Sequence, residues 1–242
     1  MSVQDDQRER ELCRLFNLEW DPAHERSGTD AFFFVDTPAS GRFRIDVEVK
    51  STTGGSVSTA RDVGIEHVRK WRGMFWVIGY YATGGLKLAT CLCLSPAQLA
   101  PWIQAIDDKV RPDYILAERS AGNLTLEDLA AVCGSKPAYS IEDAKRLHKR
   151  QWSAEQYAKA PDIVVAGKPM ISAQGMLAIL RLRAKYISER GATLNNPHIE
   201  KGFLSQFLAT EFEVRTDQAA SIRNLARKYI ESDAAHPFER AT

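Results

Sequence analysis

The sequence predicts an α/β fold, with a mixed β-sheet core flanked by helices and then a mainly helical C-terminal part. Three observations point there. Residues 42–50, Arg-Phe-Arg-Ile-Asp-Val-Glu-Val-Lys, alternate charged and apolar without a break, which is the two-residue period of a strand with one buried face. The apolar runs 31–35 and 74–81 are rich in aromatic and β-branched residues and are bounded by turn formers, as strands are. From about residue 95 the strand signals fade, and helix caps and helical apolar spacing take over.

The elements follow in order. Val3 to Leu18 reads as a helix with Leu12, Cys13 and Phe16 on one face and Glu9 at the edge of that face; Glu11 is the second acid nearby. Ala31–Val35 and Arg42–Lys50 are strands joined by Thr37-Pro38-Ala39-Ser40-Gly41, and a short turn pairs them antiparallel. With the turn centred near Ala39, Asp36 lies opposite Arg42, Phe32 opposite Asp46, and Asp30 opposite Glu48. Opposed residues share a face, with Cα atoms about 4.5–5.5 Å apart. An even slip would bring Asp30 to Asp46 or Lys50 instead, and an odd slip would separate them. A small polar Gly-rich loop, Ser51 to Ser58, follows. Arg61 to Arg72 then reads as a helix, Met74 to Tyr81 as a buried strand, and Gly84-Gly85 as a turn into a strand over Leu86 to Leu94.

Asp30 and Glu48 on one strand face can chelate a divalent cation, with Lys50 beside them. Hard cations such as Mg2+ prefer oxygen ligands and take one or two carboxylates together with phosphate oxygens and water. A metal so held polarises a phosphodiester and makes a bound water more acidic. Lys50 can orient that water or neutralise charge on the phosphate. The competing reading is a hairpin with a solvated charged face, in which Arg44, Asp46, Glu48 and Lys50 make cross-strand ion pairs. Two details favour a site. Asp30 follows the turn Ser27-Gly28-Thr29 at the start of a very apolar strand, and Lys50 leads into a loop that lets another backbone approach closely.

These residues resemble the PD-(D/E)XK nucleases, the restriction-endonuclease-like superfamily. The match is Gly28-Thr-Asp30, then a strand, a turn, and Glu48-Val49-Lys50 at the end of the next strand; it covers about residues 1–95. Thr29 stands where the family often has Pro. The resemblance implies a restriction-endonuclease-like sheet, Asp30 and Glu48 as metal ligands, and Lys50 as the catalytic lysine. It also implies Glu9 as a supporting acid from the preceding helix, whose alternative is a plain surface acid near a helix N-terminus. Asp46 is extra to the motif, as a supporting ligand or charged surface. A connecting helix that brings His67 and Lys70 near the strand ends also fits.

A chain of 242 residues can bury one sizeable core, or one core with an appendage. Its 44% hydrophobic and 26% charged content is that of an ordinary globular protein. The polar, acidic N-terminus carries no secretory signal and no apolar run reaches membrane-spanning length, so a cytoplasmic protein without a membrane partner is expected. Of the four cysteines, Cys13 lies on a helix, Cys91 and Cys93 share a strand face, and Cys133 stands alone. None has zinc-type spacing, and no chemistry is assigned to them. The net charge of +1 conceals an asymmetry: residues 1–115 carry −2, residues 116–242 carry +3, and 140–190 alone carry +5. A slightly acidic catalytic half beside a basic one suits work on a polyanion.

The chain is accordingly divided into a nuclease core, 1–115, and a mainly helical region for DNA recognition or dimerisation, 116–242, with the polar stretch Asp107 to Asn123 as the boundary. Ser95-Pro96 begins a helix to about Ile106. Thr125 caps a helix to Cys133, and Ser140 caps another that carries Lys145, Arg146, Lys149 and Arg150. That basic cluster either grips phosphates or forms a solvated helix face in which acids precede bases. Residues 162–166 suggest a short strand. Ser172 to Glu189 is strongly helical and packs either within its own half or against a twin subunit. Asn196 to Glu211 and Thr216 to Ile230 are further helices, with a loose tail from Ser232.

The expected function is a Mg2+-dependent endonuclease acting on double-stranded DNA, most like a type II restriction endonuclease and, for symmetric cutting, a homodimer. Two alternatives stand beside it. One is another nuclease of the superfamily, acting in repair, junction resolution or transposition. The other is a non-catalytic nucleic-acid-binding or protein-interaction module. No Gly-x-x-x-x-Gly-Lys-Ser/Thr phosphate loop and no Gly-x-Ser-x-Gly turn is present.

Overall fold

The computed structural model of the chain describes residues 3–20, 29–38, 41–232 and 237–238. The turn residues Ala39 and Ser40, together with Ser27 and Gly28, lie outside the described residues. In chain order the elements are helix α1 (Val3–Leu15), strands β1 (Glu19–Trp20), β2 (Ala31–Thr37), β3 (Gly41–Thr52) and β4 (Val57–Ser58), helix α2 (Ile65–Trp71), strands β5 (Phe75–Tyr81) and β6 (Leu88–Leu94), and helix α3 (Pro96–Gly122). Then come α4 (Leu126–Cys133), α5 (Ile141–Leu147), α6 (Ala154–Ala158), the hairpin β7 (Ile163–Val165) and β8 (Lys168–Met170), and α7 (Ala173–Gly191). The chain closes with β9 (His198–Ile199), α8 (Lys201–Ser205), β10 (Glu213–Val214) and α9 (Gln218–Ser232).

The α/β expectation holds. Six strands form one mixed sheet in the order β1-β2-β3-β5-β6-β10, in which only β3 and β5 run parallel. A parallel pair needs a crossover, and the Gly-rich loop, β4 and α2 provide it. The register of β2 on β3 is the one the turn arithmetic demands: Asp36 faces Arg42 and Phe32 faces Asp46.

Strand alternation sorts the sheet into two faces. Ala31, Phe33, Val35, Phe43, Ile45, Val47, Val49, Phe75 and Val77 are buried together with Leu12, Cys13 and Phe16 of α1 and Ile222, Ala226 and Ile230 of α9. Gly79 marks where α1 crosses β5: a Cβ there would stand 2.8 Å from both methyls of Leu12. On the other face Trp76 meets Trp71 of α2 and Trp102 of α3, with ring centroids 5.4 and 5.9 Å away. The expected loose tail contributes an anchor, since Phe238 stacks on Phe75 and Tyr229.

Several boundaries differ from expectation. The helix expected from Arg61 starts at Ile65, because Val63 is bridged to Leu194 through its backbone and Gly64 is extended as the N-cap. The polar stretch expected as a boundary, Asp107 to Asn123, is the second half of α3. Ile103, Ile106, Val110, Ala117 and Ala121 are buried at helical spacing, a narrow apolar stripe that overall polarity conceals. The helix expected over 196–211 is broken into β9, α8 and β10. His198 and Ile199 pair with Ser58 and Val57 of β4, and Glu213 and Val214 pair with the edge of β6, so tertiary pairing overrides local pattern.

The division at 115/116 is therefore redrawn. One compact unit comprises residues 1–108 and 194–242, and the other is the intervening 109–193. The second unit has its own core, with Leu129, Tyr139, Ala144, Tyr157, Ile171, Met176, Leu177 and Leu180 buried together. Its helices α4, α5 and α6 begin at Thr125, Ser140 and Ser153, each accepting a backbone N–H three residues on. The single strand expected over 162–166 is half of the β7–β8 hairpin.

Candidate active site

Extending the register one step beyond Ala31 opposite Val47 sets Asp30 opposite Glu48. Asp30 precedes β2, so its side chain takes over the ladder: Oδ2 accepts the backbone N–H of Val49 at 3.0 Å. The same oxygen accepts from Lys50 Nζ at 2.8 Å. Lys50 also lies 2.8 Å from Glu48 Oε1 and donates to the Val49 carbonyl at 3.1 Å. One ammonium thus bridges the two carboxylates, and all three side chains are buried, at 7% exposure for Asp30, 4% for Glu48 and 8% for Lys50.

The charged face of β3 therefore changes character along its length. Arg44 is exposed, bonds Asp46 at 2.9 Å and lies over the Phe32 ring, while Glu48 and Lys50 are sealed in. The seal comes from the crossover. Parallel pairing with β5 begins at Val47 and puts Trp76 beside Glu48 and Ile78 beside Lys50, and the Trp76 ring in turn meets the indoles of Trp71 and Trp102. The solvated-face reading holds for Arg44 and Asp46 and fails for Glu48 and Lys50.

Glu9 joins the group from α1. It is buried, and burial pushes its carboxyl up to about 7; Lys50 opposes that rise, and the nearby Asp30 and Glu48 carboxylates add to it. Glu11, the alternative acid, instead accepts from the Tyr81 hydroxyl at 2.8 Å. Asp46 is drawn off towards Arg44 and Thr29, so it does not join the buried set.

The sequence placed Lys70 only near the strand ends, yet it closes the site from α2, with Nζ 3.2 Å from Glu48 Oε2. This is an ion pair without hydrogen-bond alignment, because Oε2 is buried and makes no hydrogen bond. Burial would raise the Glu48 pKa, but Lys50 and Lys70 outweigh it and hold the carboxyl down to about 2. Lys50 is likewise held well above the ordinary lysine range, since Glu48, Asp30 and Glu9 overcome its desolvation. His67, one turn before Lys70, is lowered by burial and by Lys70; its Nδ1 accepts the Gly64 N–H at 3.4 Å in the helix cap.

The donor set is all carboxylate oxygen, which fits a hard divalent cation held by two protein ligands with water and phosphate completing its shell. Glu48 Oε2 is buried, makes no hydrogen bond and faces Lys70 Nζ at 3.2 Å. Among the described residues no group of three or more His, Cys, Asp and Glu side chains is placed to hold a metal ion. The arrangement is a buried pair of acids, Asp30 and Glu48, bridged by the ammonium of Lys50.

The basic cluster of the second unit is only partly available. Lys145 lies 2.6 Å and Arg150 3.5 Å from Glu142, whereas Arg146 and Lys149 are exposed and make no ion pair among the described residues. Among the described residues no helix is long and apolar enough to cross a membrane. No protein-family model matches the chain, and no curated protein matches it in sequence.

Proposed function

We propose that this chain is a Mg2+-dependent endodeoxyribonuclease of the PD-(D/E)XK type, hydrolysing phosphodiester bonds in double-stranded DNA, with a type II restriction role as a homodimer. The observation that carries the reading is the cross-strand convergence of Asp30 and Glu48 on the ammonium of Lys50, at 2.8 Å from each. Two buried acids can share a divalent cation that polarises a phosphodiester, and the resemblance to the PD-(D/E)XK pattern gives the adjacent lysine its place beside them.

Asp30 and Glu48 would hold the cation, which supplies Lewis-acid polarisation of the phosphate and a more acidic water. The Val49 N–H fixes the Asp30 carboxylate in place before any ligand arrives. Lys50, with Lys70 second, keeps Glu48 ionised despite its burial. Glu48, Asp30 and Glu9 favour the charged form of Lys50, which suits it to orient water and neutralise charge on the phosphate. Arg146 and Lys149 are the best-placed phosphate contacts of the basic cluster.

The test is plasmid cleavage with and without Mg2+, comparing wild type with Glu48→Ala and Lys50→Ala. Cleavage that needs Mg2+ and is lost in both variants supports the reading; variants that cut as well as wild type end it. Discrete fragments from linear duplex favour restriction, and dependence on branched DNA favours a repair or junction role. A second reading, a structural ion cluster in a nucleic-acid-binding module, draws on the fact that Lys50 and Lys70 already pair with both acids. It predicts DNA binding that is indifferent to Mg2+ and survives Glu48→Ala.

A further inference from the structure

The charges paired directly on β3 are balanced, with the carboxyl of Glu9, raised to about 7, as a further acid nearby. Two carboxylates, Asp30 and Glu48, face two ammonium groups, Lys50 and Lys70. A balanced cluster differs from an acidic cavity, which attracts a cation unaided. The two lysines also differ from each other. Lys50 is locked by two carboxylates and a carbonyl at 2.8–3.1 Å and is nearly inaccessible. Lys70 meets Glu48 at a longer distance without hydrogen-bond alignment, and its side chain is 22% exposed, so it spans a buried carboxylate and solvent. A lysine ammonium on a flexible four-carbon stem can change partners without backbone movement.

We infer that Lys70 is a positioning residue that couples metal binding to DNA binding: paired with Glu48 it competes with the divalent cation, and the DNA phosphate draws it away. The inference rests on the nuclease reading of the same residues. Without DNA, a cation approaching Glu48 Oε2 meets the positive charge of Lys70 on that same oxygen. When a phosphodiester enters, Lys70 exchanges the carboxylate for a phosphate oxygen, and Glu48 gains an oxygen for the metal. Linkage requires the reverse effect to be equal: bound metal tightens DNA by the factor by which DNA tightens metal. Neighbouring basic residues are otherwise occupied, since Arg69 pairs with Glu66 and Arg72 with Asp107, which leaves Lys70 as the α2 cation directed at the site.

The experiment is a calorimetric cycle with Ca2+ in place of Mg2+ to separate binding from hydrolysis. Wild type, Lys70→Gln and Lys70→Arg are each titrated with the cation alone, and again in the presence of a short DNA duplex. In Lys70→Gln the DNA-free affinity for the cation is expected to rise about tenfold, because its competitor is gone, while the gain produced by DNA shrinks by a similar factor. Lys70→Arg keeps the charge and should behave as wild type. Thermal unfolding of each variant identifies a folding defect, and if Lys70→Gln does not fold, wild type itself decides: equal cation affinity with and without DNA overturns the coupling. Unchanged or weaker DNA-free cation binding in a folded Lys70→Gln also overturns it while leaving the nuclease reading intact. If no variant binds Ca2+ or Mg2+ under any condition, both fall.

Discussion

Glu48 and Asp46 are two residues apart on the same strand face and carry the same charge, yet their environments are opposite. Asp46 is partly exposed and tied to Arg44, and Glu48 is buried opposite Trp76 between two lysines. Pairing with β5 begins at Val47, and that onset separates them. Glu9 marks the cost of gathering several acids in so dry a place. With its pKa raised from 4.5 to about 7, it binds its proton more tightly folded than unfolded. Its penalty is absent below about pH 4.5, grows as pH rises, and is complete above about pH 7, where it amounts to roughly 3 kcal/mol. Glu9→Gln removes the ionisable group while keeping the shape of the protonated acid. Urea unfolding should therefore find the variant equal to wild type near pH 4 and more stable by about 1–3 kcal/mol near pH 8. A stability difference that does not vary with pH would contradict the buried-acid account.

At the scale of elements, α1, β2, β3 and α2 each deliver one part of the site, and each is aligned by packing remote from the chemistry. The approach of α1 to the sheet depends on Gly79, whose missing side chain makes room for Leu12. Gly79→Ala should lift α1 and cost about 1–3 kcal/mol in urea unfolding. Because α1 carries Glu9, the variant should also lose the proposed nuclease activity beyond what its unfolded fraction explains. Activity scaling simply with the folded fraction would show that the position of α1 is irrelevant to the site. The elements legible from sequence were those whose pattern is local. The β2–β3 pair was readable as antiparallel, since a period of two excludes odd slips, and of the even registers left, the structure takes the one centred near Ala39. The segment 196–214 was not, because β9 and β10 exist only through partners far away in the chain, on β4 and β6.

At the scale of the whole molecule, the catalytic candidate and the basic zone fall in different compact units. Total charge says little about such a chain, and its distribution says more. Within the basic cluster, Glu142 occupies Lys145 and Arg150, so phosphate contact falls to Arg146 and Lys149. The double variant Arg146→Gln/Lys149→Gln should weaken DNA binding uniformly across sequences and reduce the salt slope of log K by about 2. The matching change at Lys145 and Arg150 should do less, as it removes charges already compensated. Binding isotherms at several salt concentrations compare the two, and equal slopes for all variants would rule out this face.

By itself the sequence determined the α/β class and the antiparallel pairing of the two strands, because both follow from alternation and one short turn. It offered the meeting of Asp30, Glu48 and Lys50 as one register among those that an even slip allows, and the structure selected it. Only the tertiary structure decided that Glu48 and Lys50 are buried while Arg44 and Asp46 are not, that Glu9 rather than Glu11 or Asp46 joins them, and that Lys70 reaches Glu48 from α2. It also redrew the compact units, returning residues 194–242 to the first and running α3 unbroken through the expected boundary. The physical reason is common to these cases. Periodicity reports which way a side chain points, whereas burial, charge pairing and the desolvation behind a shifted pKa depend on what other parts of the chain are laid against it.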